Sequence, residues 1–296
     1  MFKRLLICTD LVDGLQRLVD FVPSLAVGGV EQIVFLHIAA ISQDQAVPRV
    51  NEEEVAAARK RLTVAQSKVP EGVDVRVDVQ SGQAVDRIQN AIATYKSDIV
   101  FVGSQSRSLL TEKLFGSTTT SLCQRIKIPV LILRPQLLST YTVEELDLRC
   151  RHIFRYFLIP YDGSNVADYL VKQIKQIAQD RASESLDACL ISWVVETGGR
   201  RALSALVREE ETKKAKTKLQ QVKAELESLG LQITTQVLQG EPVPEILMSA
   251  QEYDITAIAI ASDSFGKLLE LSIPSFAGEM LRRSWHPVIY FPLVKG

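Results

Sequence analysis

The chain has 296 residues, 46% hydrophobic and 23% charged, with a formal net charge of −1. That length accommodates two domains of ordinary size, and the composition is that of a globular chain rather than a disordered one. The near-neutral balance excludes a global electrostatic attraction to nucleic acid or anionic membrane, and no apolar run approaches the roughly 20 residues that span a bilayer.

In chain order, KRLLICTD (3–10) is an apolar strand ending in Asp10. Leu15, Leu18, Val19 and Val22 follow at helical spacing, and QIVFLHIAA (32–40) is a second strand. Residues 43–50 form a polar loop with one proline. From Glu52 to Lys68 the pattern is a charged amphipathic helix, with Val55, Ala58, Leu62 and Ala65 on one stripe. VDVRVDVQSG (73–82) alternates, as a strand with one wet face does. Val85, Ile88, Ala91 and Ile92 mark another helix. IVFV (99–102) is a β-branched run suited to a strand covered on both faces. Gly103 ends it, and the hydroxyl-rich step Gly116-Ser117-Thr118-Thr119-Thr120 precedes a helical pattern through Leu122 and Ile126, making Ser117 or Thr118 the expected N-cap. Pro129 opens VLILR. Strands and helices alternate throughout, which predicts a parallel, right-handed α/β sheet of five strands.

The chain then repeats this order. RYFLIPYDGS (155–164) matches the first strand, with Asp162 at its end, and DACLISWVV (187–195) matches the second. Residues 201–229 read as a long helix with Leu203, Leu206, Val207, Leu219, Val222, Leu226 and Leu229 on its apolar side. Gly82 and Gly240, Tyr95 and Tyr253, Ser104 and Ser262, and Pro129 and Pro287 are all 158 residues apart, so the chain is a tandem duplication. The expected domains are 1–136 and 153–296, joined by a linker over 137–152 with a short helical turn. VLILR (130–134) and VIYF (288–291) are apolar strands that would pair if exposed at an edge.

A glycine with free backbone N–H groups at a helix N-terminus is a ready phosphate site. The stretch 99–135 has that form, although a βαβ unit whose loop merely needs small residues reads the same way. Each half resembles a universal stress protein domain in its Asp-ended first strand, in YDGS (161–164), in the turn Gly240-Glu241-Pro242 and in the closing Pro-Val strand. The resemblance implies two tandem Rossmann-like domains of the adenine nucleotide alpha hydrolase type, each a five-stranded parallel sheet flanked by helices. ATP-binding members carry G-x2-G-x9-G-[ST]. The first half has Gly103-x2-Ser106-x9-Gly116-Ser117, whereas the second has Ala261-x2-Ser264-x9-Pro274-Ser275, with every glycine lost. Ser106 adds a Cβ at the second glycine, and Gln105 stands where many members have an arginine; Arg107 and Lys113 could replace that cation only by pointing inward. Pro274 removes a donor and Ala261 crowds the turn.

The resemblance therefore implies ATP or another adenine nucleotide in the first half, with any Mg²⁺ held by the phosphates alone. Thr9 and Asp10 would meet the adenosine part, Ile38 and Ala39 the adenine face, and Val102, Gly103, Gln105, Ser106, Gly116, Ser117 and Thr118 the phosphates. The same strand-end residues also suit simple core packing. Asp162, without a phosphate loop, suits a helix cap.

The four cysteines (Cys8, Cys123, Cys150, Cys189) form no C-x-x-C pair and each lies in or beside an apolar segment, which predicts buried thiols in a reducing compartment. MFKRLLICTD enters a strand with no signal-peptide core, so the cytoplasm is the expected location. His37, His152 and His286 lack metal-ligand spacing, and there is no P-loop, no H-x-G-H and no G-x-S-x-G elbow. KKAKTK (213–218) follows REEET (208–212), which reads as a self-paired solvated face rather than a nucleic-acid patch. The expected function is a cytoplasmic nucleotide-binding stress sensor or regulator, at most a slow ATP hydrolase, with the halves as an internal pseudo-dimer and room for a homodimer. The alternative is a protein-interaction scaffold of the same fold without nucleotide.

Overall fold

The computed structural model describes residues 1–39, 41–42, 49–104, 117–197, 205–262 and 275–293, without the side chains of residues 41, 42, 49, 50, 117, 118 and 120. The chain packs as two units, Phe2–Arg151 and 152–296.

In the first unit five strands, β1 (Arg4–Thr9), β2 (Gln32–Ala39), β3 (Asp74–Ser81), β4 (Ile99–Gly103) and β5 (Val130–Leu133), lie in the order β5-β4-β1-β2-β3, all parallel. Central β1 and β4 are apolar because both their faces are covered; Leu5, Leu6, Ile7, Val100 and Phe101 are fully buried. Edge strand β3 alternates and is only partly buried. Three helices, α1 (Glu52–Leu62), α2 (Ala84–Tyr95) and α3 (Ser117–Arg125), supply crossovers. Asn51 caps α1 by accepting from the Glu53 and Glu54 amides. Residues 41–42 and 49–50 pair as a small antiparallel ribbon.

Between β1 and β2 the expected helix is replaced by a 3₁₀ segment, Leu15–Phe21, and one α-turn, Val22–Leu25. Gly14 precedes it at φ +88° without a side-chain cap, and Pro23 has no N–H for the Val19 carbonyl, so a continuous α-helix over 15–25 would lack that bond. The apolar positions remain as read: Leu15, Leu18, Val19 and Val22 are buried. Over 137–152 the chain forms more than a turn. The ten-residue helix α4 (Val143–His152) buries Leu146 and Cys150. The Ser24 hydroxyl donates to Asp147 and Arg17 to the Leu138 carbonyl, tying this segment to the first unit.

The second unit repeats the plan with β6 (Tyr156–Pro160), β7 (Ala188–Glu196), β8 (Gln232–Gly240), β9 (Ala257–Ser262) and β10 (Val288–Pro292), in the order β8-β7-β6-β9-β10, again parallel. Its helices are α5 (Asn165–Gln179), α6 (Ala205–Glu227), α7 (Pro242–Glu252) and α8 (Phe276–Arg283). Here the first crossover is a full helix, and Ser164 accepts from the Ala167 amide as its N-cap. Gly82 and Gly240 both adopt positive φ, +132° and +154°, at the turns after β3 and β8, which is why the duplication keeps glycine there.

The apolar stripe expected along α6 is only partly used. Ala215, Leu219, Val222 and Leu226 are buried, whereas Leu206 is 76% exposed and Val207 40%. All four buried positions lie at or beyond Ala215, so the first turns of α6 (Ala205–Glu227) are the exposed ones. Its charged face is self-paired, with Glu209–Lys213 at 2.8 Å and Glu211–Lys214 at 3.5 Å.

Candidate functional site

A parallel sheet whose strand order reverses beside the first strand opens a crevice at the carboxyl ends of the strands. In the first unit that crevice lies where β1 and β4 end. Thr9, Asp10, Ile38, Val102 and Gly103 line one cavity there, of about 130 Å³, together with Asp13, Thr119 of α3 and Ala84 of α2. Ala39 is fully buried and is not among the cavity's lining residues. Ser117 begins the described part of α3. Gln105, Ser106, Arg107, Lys113 and Gly116 lie outside the described residues, as does the residue that would cap α3.

The β1 end is organised by carboxylates. Asp10 Oδ1 accepts from the Val12 and Asp13 amides at 2.9 and 2.8 Å, which folds the chain back after Leu11 at φ +66°. Thr9 donates its hydroxyl to Asp13 Oδ1 at 2.7 Å, and the Leu15 amide donates to the same oxygen. The Thr9 carbonyl lies 2.9 Å from Nδ1 of buried His37.

Asp13 is the residue that the sequence reading missed. It is 7% exposed and lies directly on Gly103: a Cβ built at Gly103 would fall 2.6 Å from the Asp13 Cβ. The missing side chain at Gly103 is therefore used by Asp13. Burial pushes the Asp13 carboxyl above the ordinary carboxylate range; the Asp10 charge adds to this, and the Thr9 hydrogen bond opposes it. The available signal was a second acid three residues after Asp10, on the same loop.

The corresponding crevice of the second unit is about three times larger, at about 380 Å³. It lies between the ends of β6, β7 and β9 and the starts of α5, α7 and α8. Ligand pockets run to about 300–1,000 Å³, so this cavity is in range and the first is not. The cavity is set by strand ends and helix starts, and Ala261 lines it in the place that Gly103 holds in the first unit. Ser264 and Pro274 lie outside the described residues. Gly163, at φ +74°, lies against the Trp193 ring, which meets Tyr161 edge-on at 5.7 Å. Among the described residues no group of His, Cys, Asp or Glu could hold a metal ion, and no helix is long and apolar enough to cross a membrane.

The sequence model of the universal stress protein family matches residues 1–134 and again 154–292. The chain belongs to the universal stress protein family. Both halves of this universal stress protein carry the family domain, and the arrangement is shared with solved structures. A universal stress protein from Archaeoglobus fulgidus DSM 4304 is similar over 98% of this chain and 96% of its own, with 19% identity and a TM-score of 0.65. A protein assigned to the same family from Pseudomonas aeruginosa UCBPP-PA14 covers 98% of this chain and 93% of its own, at 14% identity and a TM-score of 0.60. A universal stress protein solved in complex with cAMP covers 46% of this chain and 95% of its own, at 16% identity and a TM-score of 0.37. The sequence matches no curated protein.

Proposed function

We propose that this universal stress protein binds an adenine nucleotide in its first half and acts as a nucleotide-responsive regulator rather than as a catalyst. The observation that carries this reading is the convergence of Thr9, Asp10, Ile38, Val102 and Gly103 on one cavity at the sheet's crevice. Those residues offer a hydroxyl, a carboxylate, an apolar wall and a bare backbone, which suit ribose, adenine and phosphate in turn. Phosphates and the Asp13 carboxylate compete for the space over Gly103, so binding requires Asp13 to swing away or to take up a proton.

A second reading, a protein-interaction scaffold without nucleotide, draws support from the small first cavity and the acid already lying on Gly103. One experiment separates the two. The protein is purified without added nucleotide and denatured, and the released molecules are identified by mass spectrometry, with Gly116→Pro as control. Adenine nucleotide near one per chain, lost in the variant, supports the first reading. Clean protein with no thermal shift in millimolar Mg-ATP overturns it and leaves the scaffold.

A further inference from the structure

We propose that the cavity of the second unit binds a phosphate-free small molecule with an apolar or aromatic body and a hydroxyl or ammonium end. This goes beyond the reading of the first half and does not depend on it. The cavity has the size of a ligand pocket, about 380 Å³. Its walls are largely apolar, built from Val166, Leu170, Val194, Ile246, Ile260 and Phe276.

Three helix starts face this space, an arrangement that usually attracts anions. Here part of that donor set is already taken or missing. Ser164 Oγ takes the Ala167 amide at 3.2 Å, and Asp162 Oδ1 takes the Ser164 amide at 2.9 Å. Ser275 Oγ takes the Gly278 amide at 3.0 Å, while α7 opens with Pro242 and Pro244, which have no N–H to give. Among the described residues of the cavity wall the charged groups are the carboxylates of Asp162 and Glu196, and none is Lys, Arg or His. A phosphate would enter beside two carboxylates with no described cation to meet it, at helix starts whose amides are in part taken by their caps. A hydroxyl or ammonium would instead find acceptors.

Matched pairs that differ by one phosphate test this: adenosine with AMP, thiamine with thiamine monophosphate, and pyridoxamine with its 5′-phosphate. Binding to the full chain is read by saturation-transfer NMR at millimolar ligand, in a Gly116→Pro background that removes any first-half nucleotide site. In at least one pair the phosphate-free member is expected to bind at least about tenfold more tightly than its ester. Ala261→Phe, which fills the cavity, is expected to abolish that signal, and Asp162→Asn/Glu196→Gln to erase the discrimination. Where Ala261→Phe fails to fold by circular dichroism, the double variant decides. Retained discrimination there overturns the proposal. So does an ester that binds as well as its parent and is displaced by Ala261→Phe, or the absence of binding by every phosphate-free compound. A nucleotide-free first half leaves all of these outcomes readable.

Discussion

Asp13 carries the most consequence of any side chain here, because it is a buried acid lying on the one signature glycine that the structure describes. Its raised folded pKa means that the folded state holds its proton more tightly than the unfolded chain. Stability from this group is therefore greatest below the ordinary value of 3.8 and falls as pH rises towards the raised folded value, then stays level. Asp13→Asn keeps an oxygen for Thr9 and Leu15 and removes the ionisation. Urea melts from acid to neutral pH are expected to lose that decline in the variant. On the nucleotide reading, Mg-ATP should also bind about tenfold more tightly, because a like charge has gone; an unchanged affinity would place the phosphates elsewhere. The cysteines give a second prediction at this scale. Burial pushes the thiols of Cys123, Cys150 and Cys189 up to about 12, and that of Cys8 higher still. All four are buried and free, so alkylating reagents should label none in the native protein and all four in denaturant, counted by intact mass.

Among the elements, the equivalent first crossovers of the two units differ in how they start. Ser164 starts the 15-residue α5, while the uncapped Gly14 start leaves only 3₁₀ and a single α-turn. Asn51 satisfies two amides of α1. Asn51→Ala and Ser164→Ala are each expected to cost about 1 kcal/mol in denaturant melts, and losses under about 0.3 kcal/mol would mean that the caps are redundant. The Glu209–Lys213 pair is exposed on both sides, so Lys213→Ala should change stability by no more than about 0.5 kcal/mol. These elements were largely legible in the sequence, since period-2 and period-3.6 patterns, Asn51 and the Ser164 step are local signals. The 3₁₀ segment and the exposed Leu206 were not. Helical spacing does not reveal which hydrogen-bond pattern a short segment adopts, nor which turns of a long helix are covered.

For the whole molecule, the duplication yields two units of one topology and unequal crevices. On the nucleotide reading a Mg-ATP titration should saturate near one per chain, and Gly116→Pro should remove it. Saturation at two would mean that the glycine-free half accepts phosphates despite the carboxylates on its wall. The duplication and the parallel five-stranded halves could be read from the chain alone, whereas Thr9, Asp10, Ile38 and Gly103 were brought together only by the resemblance to the family. Strand patterns, a constant 158-residue offset and positive-φ glycines are properties of local sequence or of its repetition. The occupant of the space over Gly103 and the size of each crevice came only with the fold. Both depend on side chains from elements far apart in the chain: Asp13 meeting β4, Trp193 meeting Gly163, three helix starts meeting three strand ends. A volume left between such partners is a difference of packing that no single stretch of sequence encodes.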